Sequence, residues 1–276
     1  MTGSAGPDDG SYQPTSERMS AANYQSNVGD YLIYMFHVAT YNFAREFLSG
    51  EVLDLGCGTG YGTHAVSDCC DRIVGVDIAT DAVAFARREY QADNLSYEVI
   101  APIENELLPF GDASFDAVIS FQVIEHIANT DTYLREIARV LRPGGRFICS
   151  TPDRSTRLFP RQRPWNRYHV HEYSPTDLGA LIATRFEDVR VHGMTADRVI
   201  IDAELRRCRK MRVMTYPFTF PGAPQSWRSF GLGLLKRLQR PQGAAQTVQE
   251  FAFDHTAIRI EIGATPSTDT VVVARR

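Results

Sequence analysis

From Tyr31 to Leu48 the apolar residues Leu32, Met35, Phe36, Ala39, Phe43 and Phe47 recur at three- and four-residue steps, which predicts an amphipathic helix ended by Ser49-Gly50. The pattern then changes period. Short apolar runs at Val52–Leu55, Ile73–Val76, Leu95–Ile100, Phe115–Phe121 and Arg146–Ser150 read as strands, with helical patterns between them near 60–68, 81–91 and 131–141. Such alternation predicts βαβ units, hence an α/β fold whose parallel sheet carries helices on both faces. The helix at Asp131–Leu141 can be capped by Thr130 or Asp131, buries Leu134, Ile137 and Leu141, and is stopped by Pro143-Gly144-Gly145. After Thr151-Pro152 the pattern loosens into an Arg-, Pro- and aromatic-rich loop over 153–173. A helix at 175–184, a strand near 187–192 and a last strand at Thr270–Ala274 are expected beyond it.

Composition narrows the function classes. A net charge of −4 argues against a dedicated nucleic-acid binder, whose footprint is strongly basic. The longest apolar run near the N-terminus, Tyr31–Phe36, ends at His37, far short of the roughly 18 residues a spanning helix needs. Residues 1–19 are rich in Gly, Ser, Pro and Asp without a basic or apolar block, so they read as a disordered leader rather than a signal peptide, and a cytoplasmic location is expected. Five cysteines without a C-x-x-C pair fit neither a disulfide framework nor a zinc site. Residues 205–249 hold nine Lys or Arg and no acid. Within them Trp227–Arg240 has a basic and an apolar side if helical, suited to an anionic membrane surface, a substrate cover or a dimer contact. A solvated insertion with its apolar side on the core is the plainer alternative, and Gly231 and Gly233 weaken a helix there.

The strongest chemical signal is Val52-Leu-Asp-Leu-Gly-Cys-Gly-Thr-Gly-Tyr-Gly62, a strand entering a glycine-rich turn and then a helix. Glycines there let the backbone approach a ligand and adopt turns a Cβ forbids. Asp77 ends the next strand, where a carboxylate can accept both hydroxyl protons of a ribose, so a nucleoside cofactor is expected. A pyrophosphate-binding loop reads G-x-G-x-x-G; here Gly56, Gly58 and Gly60 are spaced G-x-G-x-G, and Tyr61 stands where the third fingerprint glycine belongs. Asp54, just before the turn, suits a sulfonium or an amine rather than a pyrophosphate.

These residues resemble the class I S-adenosylmethionine (SAM) dependent methyltransferases. Leu53-Asp-Leu-Gly-Cys-Gly-Thr-Gly60 is similar to that family's first motif, Val74-Gly-Val-Asp77 to its ribose strand, and Leu108-Pro-Phe-Gly-Asp-Ala-Ser-Phe-Asp116 to the stretch entering its fourth strand. Phe121-Gln-Val-Ile-Glu-His126 and Arg139-Val-Leu-Arg-Pro-Gly-Gly145 complete the set over roughly residues 15–195. The resemblance implies a Rossmann-like seven-stranded sheet of order 3-2-1-4-5-7-6 with the last strand antiparallel. It also implies that Gly56, Cys57, Gly58 and Gly60 pass under the amino-acid part of SAM, that Asp77 takes the ribose, that Ile78 packs on the adenine, and that Phe121 and Gln122 line the cofactor. Where the family carries an Asp for the adenine amino group this chain reads Ala101-Pro-Ile-Glu-Asn105, with Glu104 the best substitute. Tyr24 and Tyr31 of the N-terminal arm could close over SAM, or pack simply on the sheet. Thr15-Ser-Glu-Arg18, Tyr41-Asn-Phe-Ala44, Ser150-Thr-Pro-Asp153 and Asn166-Arg-Tyr-His-Val-His-Glu-Tyr173 are similar to a subgroup that modifies sugars and glycans.

The implied organisation is a leader (1–19), a helical arm or lid (20–49), a SAM-binding core (50–195), a basic insertion over the acceptor (196–249) and C-terminal strands completing the core (250–276). A hydroxyl acceptor gives up its proton as the new bond forms, so a histidine base helps. His126, just past the fourth strand, leads, with ordering of the loop beside Glu125 as its alternative. His169 and His171, two apart in an extended segment, could project to one face with Glu172 beside them; no third metal ligand is evident at useful spacing, so no metal is expected, and His169 serves as base, acceptor contact or structural group. His37, His64, His192 and His255 read as structural. The leading function is O-methylation of a sugar hydroxyl in a glycan, glycolipid or glycosylated metabolite, with no nucleic-acid partner and peripheral membrane contact through 205–240 as an option. N- or O-methylation of a non-sugar metabolite comes second; a non-catalytic SAM binder and a nicotinamide dehydrogenase complete the field.

Overall fold

The computed structural model describes residues 28–103, 106–238 and 253–276. Eight strands form one sheet: β1 (Glu51–Leu55), β2 (Arg72–Asp77), β3 (Leu95–Val99), β4 (Phe115–Phe121), β5 (Leu141–Pro152), β6 (Glu187–Ala196), β7 (Ile258–Ile262) and β8 (Asp269–Arg275). Their spatial order is β3-β2-β1-β4-β5-β8-β6-β7. β1 to β5 are parallel, β8 runs antiparallel to β5 and β6, and β7 is antiparallel to β6. The expected seven-stranded order is therefore present, with β8 as the reversed strand and β7 added at the edge. The helices are α1 (Val28–Ala44), α2 (Tyr61–Ala65), α3 (Thr80–Glu89), α4 (Thr130–Val140), α5 (Arg154–Arg157), α6 (Pro175–Ile182), α7 (Arg198–Thr219) and α8 (Gln225–Leu238). The leader, Tyr24 and Glu104 lie outside the described residues.

Side chains alternate across a strand, so each strand feeds two cores. On one face Leu53, Leu55, Val118, Phe147 and Cys149 meet Tyr133, Leu134, Ile137 and Val140 of α4 and Leu178 and Ile182 of α6. On the other, Val52, Ile73, Ile119, Ile148 and Val271 meet Leu32, Met35, Phe36 and Ala39 of α1. Full burial stabilises by about 1.5–3 kcal/mol per large apolar side chain. Polar residues of the recognised motifs fasten the joints: Arg139 of α4 donates to the carbonyls of Leu108 and Phe110 and pairs with Glu136 and Asp112, while Asp116 accepts from the Glu51 amide and pairs with Arg142.

Three local expectations change. The cap of α4 is Asn129, whose side chain accepts from the Thr132 amide at 3.1 Å. β5 begins at Leu141, so Pro143-Gly144-Gly145 lies within it rather than in a separating turn. The stretch after β6 forms two helices, α7 and α8, despite Gly231 and Gly233. A Cβ on Gly231 would stand 2.0 Å from the Phe218 ring, so that glycine admits close helix packing that offsets its helix cost of about 1 kcal/mol. Arg228, which the plainer reading left in solvent, is 4% exposed, and its guanidinium donates to the carbonyls of Pro164 (3.0 Å) and Asn166 (2.8 Å). Among the described residues no helix is long and apolar enough to cross a membrane.

The joint between α1 and α2 admits no extra volume, since a Cβ on Gly62 would stand 2.0 Å from the buried Tyr41 ring. Gly62→Ala is expected to destabilise the fold by about 1–3 kcal/mol, read as a lower urea midpoint at unchanged slope.

Candidate active site

β1 ends against a loop whose geometry depends on glycine. Gly56, Gly58 and Gly60 have φ of +89°, +55° and +83°. A Cβ on Gly58 would meet nothing within 4 Å, because that residue faces an open cavity of about 490 Å³. The amides of Gly56 and Cys57 donate to the Val76 carbonyl at 2.8 and 2.9 Å, pinning the loop to β2. Asp77, at the end of β2, is oriented by two amides: Oδ2 accepts from Gly58 at 3.0 Å and Oδ1 from Ala79 at 2.8 Å. Ile78 beside it is 55% exposed and lines the same cavity, an apolar surface suited to a flat ring. Phe121 and Gln122, at the end of β4, close the far wall. Gln122 has φ +57°, uncommon for a non-glycine residue, and is held there by its amide bond to the Ser150 carbonyl (2.9 Å) and by Nε2 donating to Asp269 at 2.9 Å. Burial pushes the Asp269 carboxyl up to about 6.

Asp54 is placed differently from its expected position facing a cationic group. Strand alternation puts it on the α1 face with Val52, fully buried beneath the glycine loop and off the cavity wall. Its Oδ2 accepts from Thr63 Oγ1 (2.7 Å) and Tyr41 OH (3.0 Å), whereas Oδ1 is buried with no partner among the described residues. Burial, against those two hydrogen bonds, pushes its pKa up to about 7.

A second cavity, of about 370 Å³, adjoins the first, and His37, Gln122, His126 and Tyr168 line both. The second is walled by Trp165 and Asn166 of the loop, Glu204, Arg207, Met211 and Thr215 of α7, and Leu232 and Leu235 of α8. At the junction the rings of His126 and His169 stand edge to face, 4.9 Å apart. His169 Nδ1 lies 2.8 Å from Glu172 Oε1, and Arg157 bonds Glu172 at 3.1 and 3.2 Å. Despite burial, the Arg157 guanidinium and His169 hold the Glu172 carboxyl down at about 2. His126 Nδ1 lies 3.2 Å from the Tyr168 carbonyl.

The structure thus brings His126 and His169 together and separates His171 from them. Val170 and His171 both direct their amides at the Glu125 carbonyl (2.8 and 3.2 Å), so the segment bends, and His171 is exposed with its ring tilted against Tyr173. Tyr31 does not cover the cavity; its hydroxyl donates to the Phe253 carbonyl and its ring packs on Phe253. Two site residues escaped the sequence reading. His37, taken as structural, lines both cavities, bonds Tyr61 OH at 2.9 Å, and is pushed down to about 4 by desolvation. Its signal was the four-residue spacing Ile33, His37, Tyr41 along one side of α1. Glu125 is 1% exposed and comes within reach of both histidines, a third candidate ligand that spacing alone did not reveal.

Residues 53–149 match the family model described as a methyltransferase domain. A "Probable S-adenosylmethionine-dependent methyltransferase" of Mycolicibacterium smegmatis is 36% identical over 155 residues, 56% of this chain and 58% of that protein. A "Ubiquinone biosynthesis O-methyltransferase" of Maricaulis maris is 31% identical over 115 residues, 42% of this chain and 45% of that one. The chain therefore aligns with under two thirds of the length of either. A solved SAM-dependent methyltransferase of Thermotoga maritima superposes with a TM-score of 0.55 at 16% identity, over 91% of this chain and 97% of that one, which establishes a Rossmann-like methyltransferase fold.

The buried carboxyl beneath the loop gives a pH signature. Folded Asp54 keeps its proton up to about 7, whereas an unfolded Asp releases it near 3.9, so the folded state binds more protons in between. Without ligands, wild-type stability relative to Asp54→Asn is expected to fall as pH rises from about 4 through about 7. Parallel urea titrations check this, and a flat difference would contradict it.

Proposed function

We propose that this chain, whose residues 53–149 match a methyltransferase domain, transfers a methyl group from SAM to a hydroxyl of a polyhydroxylated, sugar-like acceptor. The observation that carries the reading is the pair of adjoining cavities sharing a wall of His37, Gln122, His126 and Tyr168. The first fits the cofactor: an open glycine loop for its amino-acid part, an amide-oriented Asp77 for the ribose, Ile78 for the adenine, and Phe121 and Gln122 opposite. Asp54, buried beneath the loop, supports this half from below through its hydrogen bonds to Thr63 and Tyr41 rather than by contact with the ligand. Glu104 and Tyr24, outside the described residues, keep the adenine and lid roles that the family resemblance implies.

SAM, when bound, supplies an electrophilic methyl group, so the chain's task is to align an acceptor oxygen with it, exclude water and dispose of the hydroxyl proton. His126, on the shared wall, and His169 beside it are the groups that handle the acceptor hydroxyl. Trp165 offers an aromatic face with the Arg157 guanidinium 4.6 Å from its centroid, and Asn166, Arg207 and Glu204 add polar groups on the same wall, a mixture suited to a polyol. The helices α7 and α8 cover this cavity, in keeping with an acceptor lid in the acid-free stretch. A non-sugar hydroxyl is the second reading, favoured by the similarity of the cofactor half to an O-methyltransferase of ubiquinone biosynthesis.

The full chain is to be incubated with methyl-labelled SAM and separate carbohydrate, lipid and small-metabolite fractions. Label is expected in a carbohydrate-bearing product; label confined to phenolic or other non-sugar metabolites would install the second reading instead. His126→Ala is expected to lose about 10²–10⁴-fold in turnover at near-normal SAM affinity. Asp77→Ala should weaken SAM binding at least about tenfold by calorimetry, a loss of about 1.4 kcal/mol.

A further inference from the structure

Glu125, His126 and His169 each offer a ligand atom, and these atoms all lie within 4.8 Å of one another. Glu125 and His126 sit in a 3-10 turn (Ile124–His126) after β4, and His169 comes from a loop more than forty residues later. That loop is pinned there because the Val170 and His171 amides converge on the Glu125 carbonyl. All three side chains line the second cavity, and His126 lines the first as well.

We propose that Glu125, His126 and His169 form a divalent-cation site of the Zn²⁺ type, opening on the acceptor cavity, where the cation holds the acceptor hydroxyl. Identifying that hydroxyl as the methyl acceptor rests on the function proposed above; the site itself does not. Two imidazoles and one carboxylate with an open position are the ligand set of catalytic rather than structural zinc. The supporting bonds follow the usual pattern of a ligating histidine, whose other ring nitrogen donates to a carboxylate or backbone carbonyl. His169 Nδ1 faces Glu172, itself held by Arg157, and His126 Nδ1 faces the Tyr168 carbonyl. With Nδ1–H donating in both rings, the lone pair of each resides on Nε2. The carboxylate supplies an independent observation. Glu125 Oε2 accepts from Thr151 Oγ1 at 2.9 Å, but Oε1 is buried with no partner among the described residues. An unpaired buried acceptor is costly, and a cation among the three groups satisfies it. Ligands each about 2.1 Å from a tetrahedral ion stand about 3.4 Å apart, so closure needs movements on the order of 1 Å.

The cation acts as a Lewis acid that lowers the pKa of the hydroxyl it holds. The hydroxyl proton passes to water, an oxygen electron pair forms the new C–O bond, and the C–S pair returns to sulfur, giving a methyl ether and a neutral thioether. The cation keeps its charge throughout.

The test is metal binding by the full chain, independent of turnover. After chelation and dialysis, titration with Zn²⁺, and with Co²⁺ as a spectroscopic probe, is expected to show one site per chain. Glu125→Gln and His169→Ala should each weaken it at least about 100-fold, while His171→Ala binds like wild type; circular dichroism and SAM calorimetry establish that each variant is folded. Failure of the folded wild type to bind Zn²⁺, or binding unaltered in Glu125→Gln and His169→Ala, would overturn the site. So would methyl transfer undiminished by chelation. Stoichiometric Zn²⁺ binding lost in those variants, with no methyl transfer to any fraction, would support the site and remove the proposed function instead.

Discussion

The cofactor half is organised around a carboxylate it isolates from water. Asp54 has no exposed surface, and its Oδ2 joins β1, α1 and α2 by hydrogen bonds through Tyr41 and Thr63. Tyr41 packs edge-on against Phe121 at the end of β4, 4.9 Å between centroids, so the same residue that satisfies the acid also sets a wall of the cavity. The glycine loop above, whose left-handed turns glycine permits, rests on this filled and hydrogen-bonded layer. A second buried acid, Asp269, performs the matching task across the sheet by holding Gln122 in its strained conformation.

The second cavity is built on ion pairs instead of glycine. Arg157 and His169 both bond Glu172, and the His169 ring stands edge-on to His126, so a chain of contacts runs from α5 to the wall of the first cavity. Arg207 pairs with Glu204 in the lining of the same cavity. Charges buried in this way are worth little as stabilisers unless fully bonded, and they are strongly orienting when they are.

Elements whose apolar period is set by a continuous face were legible in the chain. The strands from Val52 to Ser150 and the helix buried through Leu134 and Ile137 fall where their spacing put them, because one residue's slip would expose a whole face. The glycine loop and Asp77 were legible for a related reason: few backbones other than glycine adopt those φ values. α7 was not legible as a helix, since its buried positions, Ile200, Ile201, Glu204, Cys208 and Thr215, mix apolar and polar residues around a polar cavity. The partnership of Glu125 with His169 was equally hidden, for it depends on a bend created by a carbonyl that accepts two amides. His37 was read as structural because one polar residue on an apolar helix face gives no hint of a cavity on each side.

The anchoring of α8 bears on how the second cavity can change over time. Arg228 grips the carbonyls of Pro164 and Asn166, and Gln162 donates to the carbonyl of Arg212, so main-chain atoms join the loop to the helix pair alongside the side-chain cluster of Leu158, Trp165, Cys208 and Leu232. Main-chain carbonyls are present whatever the side chain. The contact that Arg228 makes at Asn166 thereby persists whatever side chain stands at that position, so the cavity lining can drift there without undocking α8. Selection can act on the specificity of this pocket while its architecture, and the cofactor half behind it, stays constant.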